Sequence, residues 1–329
     1  MKEITKFANV AGTPSGLVNQ LDAVGSSLDV IFADAIVAYE PTTVLEEAGI
    51  IVVKAVPTEN DRISFPIVRN TQLTWTTIDG RVAANALGSE FNTTGLRSVE
   101  YKIVTPTVKT ASIFLPDEVS LLNKVDFSLY SQLIATDAKR KKEVDALTVL
   151  ATEANHVNIY AAGGVNTSNG SVAAGSTLKP EDLLFSRTTL RLGSDPVDPD
   201  FVLTHINQYE QVTSAAALAP GATSPGAMMR KARFDQSGDL IGFAGMDIYW
   251  TELIPGVTGS ATTAYPAGVN GHPVIVGKKG WAIGRGEKKG VTVYSQDDRI
   301  RHGTYKVVDM SYDHTILVKE SMVLLRAAD

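Results

Sequence analysis

The segment Ser295–Asp329 (SQDDRIRHGTYKVVDMSYDHTILVKESMVLLRAAD) constrains the fold more than any other part of the chain. Short alternating strands pass through a polar turn and end in an apolar final strand. No nucleophile, base or ligand set is arranged within it. A chain closed by sheet in this way reads as architecture rather than catalysis.

Upstream, strands come in matching pairs. Ile50–Val56 is one candidate, and Ile63, Phe65 and Ile67 alternate along Asp61–Arg69. A partner pair returns at Ser98–Phe114, where Val99, Tyr101 and Ile103 alternate, followed by Val108 and Phe114. Between them lies Asn70–Arg97, rich in Thr, Asn and Gly. A compact domain seldom carries so long an excursion unless it is functional. Strands of about ten residues project roughly 33 Å at ~3.3 Å per residue, and a finger with so little apolar surface needs another surface to lie on. Trp75, Ile78 and Phe91 suit anchoring on a neighbour. Around them Asp79, Arg81, Glu90 and Arg97 offer an orienting rim of both charge signs.

Residues 1–14 read as an arm without periodicity. Leu17, Leu21, Val24, Leu28 and Ile31 then fall on one helix face, with Gly25-Ser26-Ser27 as an interruption and Pro41 as the end. That face fits packing either on its own domain or on a neighbouring chain. After a short helical turn opened by Pro116, Asp126 caps one long helix running to about Asn155, on the order of 43 Å at 1.5 Å per residue. Its apolar residues gather at the ends: Phe127, Tyr130, Leu133 and Ile134, then Val144, Leu147, Leu150 and Ala151. The middle, Asp137–Asp145, is charged and contains Lys139, Arg140, Lys141 and Lys142. The pattern predicts a strut anchored at both ends with a solvated middle.

A Gly/Ser/Asn-rich connection, Ala161–Thr177, leads to an α/β lobe. Pro180 starts a helix that Gly193 closes. Strand Asp200–Thr204 and helix Asn207–Ala216 follow, then a loop at Pro220–Pro225. Strands at Leu240–Leu253 and Val274–Val276 come next, and Trp281–Ile283 leads into the closing strands.

Composition removes several function classes. With 329 residues, 44% hydrophobic and 20% charged, the chain supports two or three packed lobes and is not disordered. A net charge of −6 argues against a dedicated nucleic-acid reader, though not against one locally basic face. The absence of cysteine excludes disulfides, thiolate zinc sites and cysteine nucleophiles. The longest apolar run, from Ala48, is broken by Lys54 and is far short of a membrane helix. The N-terminus lacks a signal-peptide core. The expectation is a soluble protein made in the cytoplasm, with no membrane partner.

Motifs for chemistry are absent. His156, His205, His272, His302 and His314 show no metal-ligand spacing, so packing or surface roles outweigh ligation. Asp195, Asp198 and Asp200 lack the calcium-loop pattern and are stiffened by Pro196 and Pro199, which fits a helix-to-strand turn. Gly284–Gly290 (GRGEKKG) has no Walker pattern and reads as a hairpin turn. There is no nucleophile elbow. No catalytic, cofactor or metal residue is expected, and the chain is not read as an enzyme. For Lys139–Lys142, the flanking Asp137, Glu143 and Asp145 favour a bridged, solvated helix face; the alternative is a basic face neutralising packaged DNA without reading sequence.

In order and over nearly its whole length, the chain resembles the Hong Kong 97-type major capsid proteins of tailed double-stranded DNA phages and related viruses. The local echoes are FLPDEVSLLNKVDFSLYSQLI from Phe114 and GFAGMDIYWTELIP from Gly242. The resemblance implies an α+β fold with an N-terminal arm and helices (1–49) and peripheral strands bearing an extended-loop β-hairpin (50–115). A peripheral domain with a long spine helix (116–178), an α/β axial domain (179–280) and return strands closing the peripheral sheet (281–329) complete it. It implies self-assembly into pentamers and hexamers tiling an icosahedral shell around double-stranded DNA in a virion. Portal and scaffolding or decoration proteins would be partners. Asn70–Arg97 contains no lysine, so the isopeptide cross-linking of the best-known member does not carry over. No charged scaffolding helix precedes the arm, so scaffolding would be a separate protein, absent, or removed before residue 1. Two alternatives stand: an encapsulin-like compartment enclosing a cargo enzyme, and an unrecognised α+β enzyme.

Overall fold

The computed structural model describes residues 43–57, 59–68, 99–116, 127–162, 177–193, 196–218, 232–237, 239–260, 265, 267–298 and 300–329. The expected arm, the excursion Asn70–Arg97 and the Pro220–Pro225 loop lie outside these.

The chain enters through a short helix, α1 (Val44–Glu47), whose N-cap Thr43 accepts a hydrogen bond from the Glu46 amide at 3.3 Å. Gly49, at φ 68°, turns the chain into strand β1 (Ile51–Ala55). The strands β2 (Ile63–Val68) and β3 (Val99–Val104) form an antiparallel hairpin, and β4 (Thr107–Pro116) follows. Helix α2 (Phe127–Ala151) continues into a 3-10 turn at Glu153–Asn155 and the strand β5 (Asn158–Ala161). The α/β lobe contains α3 (Pro180–Leu192), β6 (Phe201–Thr204), α4 (Ile206–Leu218), β7 (Ala232–Phe234), β8 (Leu240–Phe243), β9 (Met246–Trp250), β10 (Val257–Thr258) and β11 (Asn270–Gly277). Three strands finish the chain: β12 (Ile283–Asp298), β13 (Gly303–Ile316) and β14 (Met322–Ala328).

Among the described residues these strands make a four-stranded sheet, β1-β12-β13-β4, and an eight-stranded sheet, β5-β14-β11-β6-β9-β8-β7 with β10 beside β11. The larger sheet is the middle of three layers. On one face Leu183 and Leu190 of α3 and Val212 of α4 pack against Val202, Val274, Val276, Val323 and Leu325. On the other, Leu45 of α1 and Ala146, Leu147 and Leu150 of α2 cover Phe201, Leu203, Ile275 and Met322. The earlier part of α2 reaches the smaller sheet, where Ile134 and Ala138 meet Val291, Val308, Met310 and Tyr312. One helix therefore joins both sheets.

Three expectations need correction. The middle of α2 is not solvated: Ala138, Lys142 and Glu143 are buried. Ile134, Ala138, Lys142, Ala146 and Leu150 recur every four residues, a slowly turning stripe that faces the sheets. The stripe was hidden because its central positions are small or charged.

Nor do the return strands all close the smaller sheet. β14 lies inside the larger one, antiparallel to β11 and parallel to β5. All seven of its residues are buried, and a strand covered on both faces is apolar at successive positions rather than alternating; its one charge, Arg326, is paired with Glu153 at 2.7 Å.

The GRGEKKG segment is not a hairpin turn. It lies within β12, where register shifts between Glu287, Lys289 and Thr292 mark bulges against β13. Two of its glycines, Gly284 and Gly286, serve a close approach. A Cβ on Gly284 would sit 2.9 Å from Leu317 and 3.0 Å from the Phe65 ring, and one on Gly286 would sit 2.9 Å from Ile63 and 3.1 Å from Val104. The β2–β3 hairpin thus lies directly on β12, with Phe65, Ile67 and Val104 packed against Leu317 and Val318.

Candidate functional site

Side-chain chemistry concentrates where α1, α2, β12 and β13 converge. Arg285, 3% exposed, bridges Glu46 of α1 and has its Nε 3.0 Å from Glu287 Oε1. Lys142 approaches the same Glu287 carboxylate at 3.4 Å. On the neighbouring turn of α2, Asp145 receives Lys141 at 2.9 Å, Lys109 of β4 at 3.2 Å and the Tyr312 hydroxyl at 3.0 Å. Burial alone would raise the Asp145 carboxyl, but these three donors hold it below the usual carboxylate range. Burial and the adjacent Asp145 push the Tyr312 phenol up. His314, beside this group on β13, is pushed down to about 3 by burial and then by the Arg285 charge. Burial raises the Glu143 carboxyl, against the pull of Lys139. Acidic and basic side chains from four elements meet here, so the cluster ties these elements together.

The basic run of α2 is thereby divided. Arg140 and Lys141 are exposed and Lys139 is half-buried, while Lys142 points inward. Lys141 is occupied by the i,i+4 pair with Asp145. Helical periodicity makes the split unavoidable, because four consecutive residues sweep most of a turn and cannot share one face. The residues expected to contact a neighbour from an extended loop, Trp75, Ile78, Asp79, Arg81, Glu90, Phe91 and Arg97, lie outside the described residues.

The structure also reveals a juxtaposition with no signal in the local sequence. The His205 and His272 rings stack with centroids 3.7 Å apart, and His272 Nδ1 lies 2.7 Å from Asp329 Oδ1. The three come from α4's start, β11 and the C-terminus, so only the sheet topology unites them. His156 ring Nε2 bonds the Leu150 carbonyl oxygen at 2.5 Å, a packing role. No group of histidine and acidic side chains suited to a metal occurs among the described residues. Asp198 pairs with Arg191 at 2.8 Å, and Asp200 accepts the Lys279 amide at 2.7 Å, so these two aspartates are committed to the helix-to-strand turn.

Two exposed surfaces stand out among the described residues. The outward face of the β2–β3 hairpin exposes Tyr101 and Ile103, beside the root of the excursion. On the smaller sheet, Thr110 and Ser112 of β4, Tyr294, Gln296 and Asp298 of β12, and Tyr305 of β13 line a groove of about 680 Å³. The register places these residues on one face, opposite α2. Ile300, 90% exposed, projects from the β12–β13 turn at the groove's end.

No family model matches the sequence, and no curated protein matches it. Solved structures do. The capsid structure of cyanophage P-SCSP1u superposes with a TM-score of 0.55 at 14% identity, covering 88% of this chain and 90% of that one. The capsid of Ralstonia phage GP4 gives 0.55 at 11% identity, over 87% and 91%. The holo-SrpI encapsulin complex from Synechococcus elongatus gives 0.50 at 12%, over 86% and 87%. With the mixed α+β architecture, these likenesses establish the Hong Kong 97-type capsid fold for this chain.

Proposed function

We propose that the protein is the major capsid protein of a tailed double-stranded DNA phage or related virus, a structural and non-enzymatic subunit that assembles with copies of itself into a closed shell. The carrying observation is the likeness to phage capsids over nearly the whole of both chains. Pentamers and hexamers tiling an icosahedral shell, a virion location and synthesis in a host cytoplasm follow from this reading. So do portal and scaffolding or decoration proteins as partners. The excursion Asn70–Arg97 is the extended loop, with Trp75, Ile78 and Phe91 anchoring on a neighbouring subunit and Asp79, Arg81, Glu90 and Arg97 as its rim. Lys139, Arg140 and Lys141 form the DNA-facing part of the spine, while Lys142 serves the buried cluster. Many weak contacts made at once hold such a shell together.

Size-exclusion chromatography with negative-stain microscopy of the purified protein tests this. Capsomers, shells or sheets are expected, running as a single band near 35.1 kDa after boiling in denaturant. A monodisperse monomer across concentration, salt and pH refutes assembly, and a covalent ladder refutes the non-cross-linked subunit. The encapsulin likeness supports a second reading, a compartment for a cargo protein. Particles isolated from the native source holding protein and no DNA decide for it.

A further inference from the structure

Among the described residues, the strand β4 is one of the two edges of the smaller sheet, β1 being the other. It pairs with β13 from Thr107↔Tyr312 to Pro116↔Gly303 without a register shift, and no strand among the described residues pairs with its other side. An unpaired edge templates pairing with another chain, and soluble proteins blunt such edges with bulges, charges, proline or brevity. β4 has ten residues, no bulge, no proline before its last position, and one charged residue, Lys109, which turns to Asp145 on the α2 side. On the opposite face, Thr110 and Ser112 wall the groove, Phe114 lies 4.9 Å from the Tyr305 ring, and Val108 is 68% exposed.

We propose that β4 pairs antiparallel with β4 of a second copy of this chain, across a two-fold axis through Ala111. The inference rests on the shell reading and names one of its contacts. A two-fold perpendicular to the sheet opposes residues of the same parity, because each must point to the same face as its partner. With Ala111 on the axis, Val108 opposes Phe114 of the second copy, Thr110 opposes Ser112, and Lys109 opposes Ile113. Apolar meets apolar, hydroxyl meets hydroxyl, and the two cations stay apart. Moving the axis to Thr110 sets Val108 against Ser112, and moving it to Ser112 sets Thr110 against Phe114; both mismatch. The contact is isologous, so one self-complementary strand suffices. It joins two four-stranded sheets into one and carries the groove across the axis.

The chain has no cysteine, which makes the test direct. Opposed residues in an antiparallel pair have Cα atoms about 4.5–5.5 Å apart, within the roughly 4.4–6.8 Å that a disulfide spans. Ala111 is exposed and small, so Ala111→Cys leaves the subunit fold intact. Assembled Ala111→Cys particles under mild oxidant are expected to give a reducible band at twice the 35.1 kDa chain mass as the main species. Leu192→Cys, at an exposed site on the other lobe, stays at the single-chain position. Thr110→Cys and Ser112→Cys chains cross-link when co-assembled and not when assembled separately; cross-linking of Thr110→Cys alone means another register or a parallel pair and overturns the proposal. Normal particles without an Ala111→Cys dimer overturn the pairing and leave the shell reading standing. A wild-type chain that forms no particles removes the shell reading and this pairing with it.

Discussion

Replacing Gly286 by alanine tests whether the β2–β3 hairpin is seated on β12 by the absence of a side chain. The added methyl meets Ile63 Cγ2 at 2.9 Å and Val104 Cγ1 and Cβ at 3.1 and 3.3 Å. Both neighbours are β-branched and stiff at χ1, so relief must come from moving the hairpin itself. Overpacking of this kind costs about 1–3 kcal/mol, offset by the ~0.5–1 kcal/mol gained when alanine replaces glycine within a strand. The net loss is about 0–2.5 kcal/mol, up to a few degrees in melting temperature for a domain of this order. Gly284→Ala is expected to cost less on its Leu317 side, where a leucine terminus can rotate, and more against the buried Phe65 ring. Gly290, in the same glycine-rich segment, has nothing within 4 Å of its Cβ position, so Gly290→Ala is the internal control and stays neutral or gains slightly. Urea denaturation of unassembled subunits measures all three. Gly286→Ala as stable as Gly290→Ala would falsify the close-approach argument. Because the hairpin aims the excursion beyond Val68, particle yield is expected to fall for Gly286→Ala even where the subunit remains folded.

Leu147, fully buried between α2 and the larger sheet, is expected to cost about 2–5 kcal/mol on truncation to alanine, whereas exposed Leu133→Ala stays within about 0.5 kcal/mol; denaturant midpoints separate them. The triple change Lys139→Ala, Arg140→Ala and Lys141→Ala should leave shell formation intact, reduce packaged DNA and flatten the salt dependence of DNA binding, while Lys142→Met lowers subunit stability by leaving Glu287 short of a partner and does not change that salt slope. Unchanged packaging in the triple variant returns those side chains to a solvated face. His314 takes its proton only near pH 3 when folded but near 6.5 when unfolded, so the unfolded state binds more protons in that window and stability falls as pH drops through it, by up to ~1.4 kcal/mol per pH unit. His314→Gln should remove that component from the pH–stability curve, and an unaltered slope between pH 6 and 4 contradicts it. Deleting Thr71–Leu96 with a short Gly-containing bridge should keep a cooperative melt and abolish stable particles; an unfolded subunit would place the segment in the core instead.

Local periodicity carried most elements into view. Ile63, Phe65 and Ile67 marked the buried face of β2, and Pro180 and Gly193 bracketed α3 to the residue. What escaped is set by long-range packing. The buried stripe of α2 passes through Ala138, Lys142 and Ala146, and a lysine at a core-facing position is invisible until Glu287 is known to lie opposite. The placement of β14 was legible in part, since MVLLRAA is apolar at every position but Arg326, close to the pattern of a strand covered on both faces. Chain order favoured attaching it to β12 and β13, and order is a weak guide when a sheet is built from strands as distant as β5 and β14. The glycines of GRGEKKG resemble turn residues because close approach and turning both call for a missing side chain. The two are told apart only by what packs above. The stacked His205 and His272, 67 positions apart by their own numbering, had no local signature at all.

The buried charges at Arg285 explain how the parts of this subunit keep a fixed relation. α1 reaches the cluster through Glu46; α2 reaches it through Lys142; β12, on which the β2–β3 hairpin lies, supplies Arg285 and Glu287. Apolar contacts between the same elements would tolerate sliding, since they are non-directional. An ion pair under 10% exposure on the Arg285 and Lys142 sides does not. Such pairs add little net stability over apolar replacements of equal volume, yet removing one partner costs about 3–5 kcal/mol because the other charge is stranded. Their contribution here is geometric: a displacement of α1, α2 or β12 separates matched charges in a partly buried site. That property suits the proposed shell subunit, which would contact its neighbours through several elements at once. The edge strand β4 is held to the same frame, through Lys109 on Asp145 and Tyr312 on the same carboxylate, so the strand proposed to pair with a second copy is tied to α2.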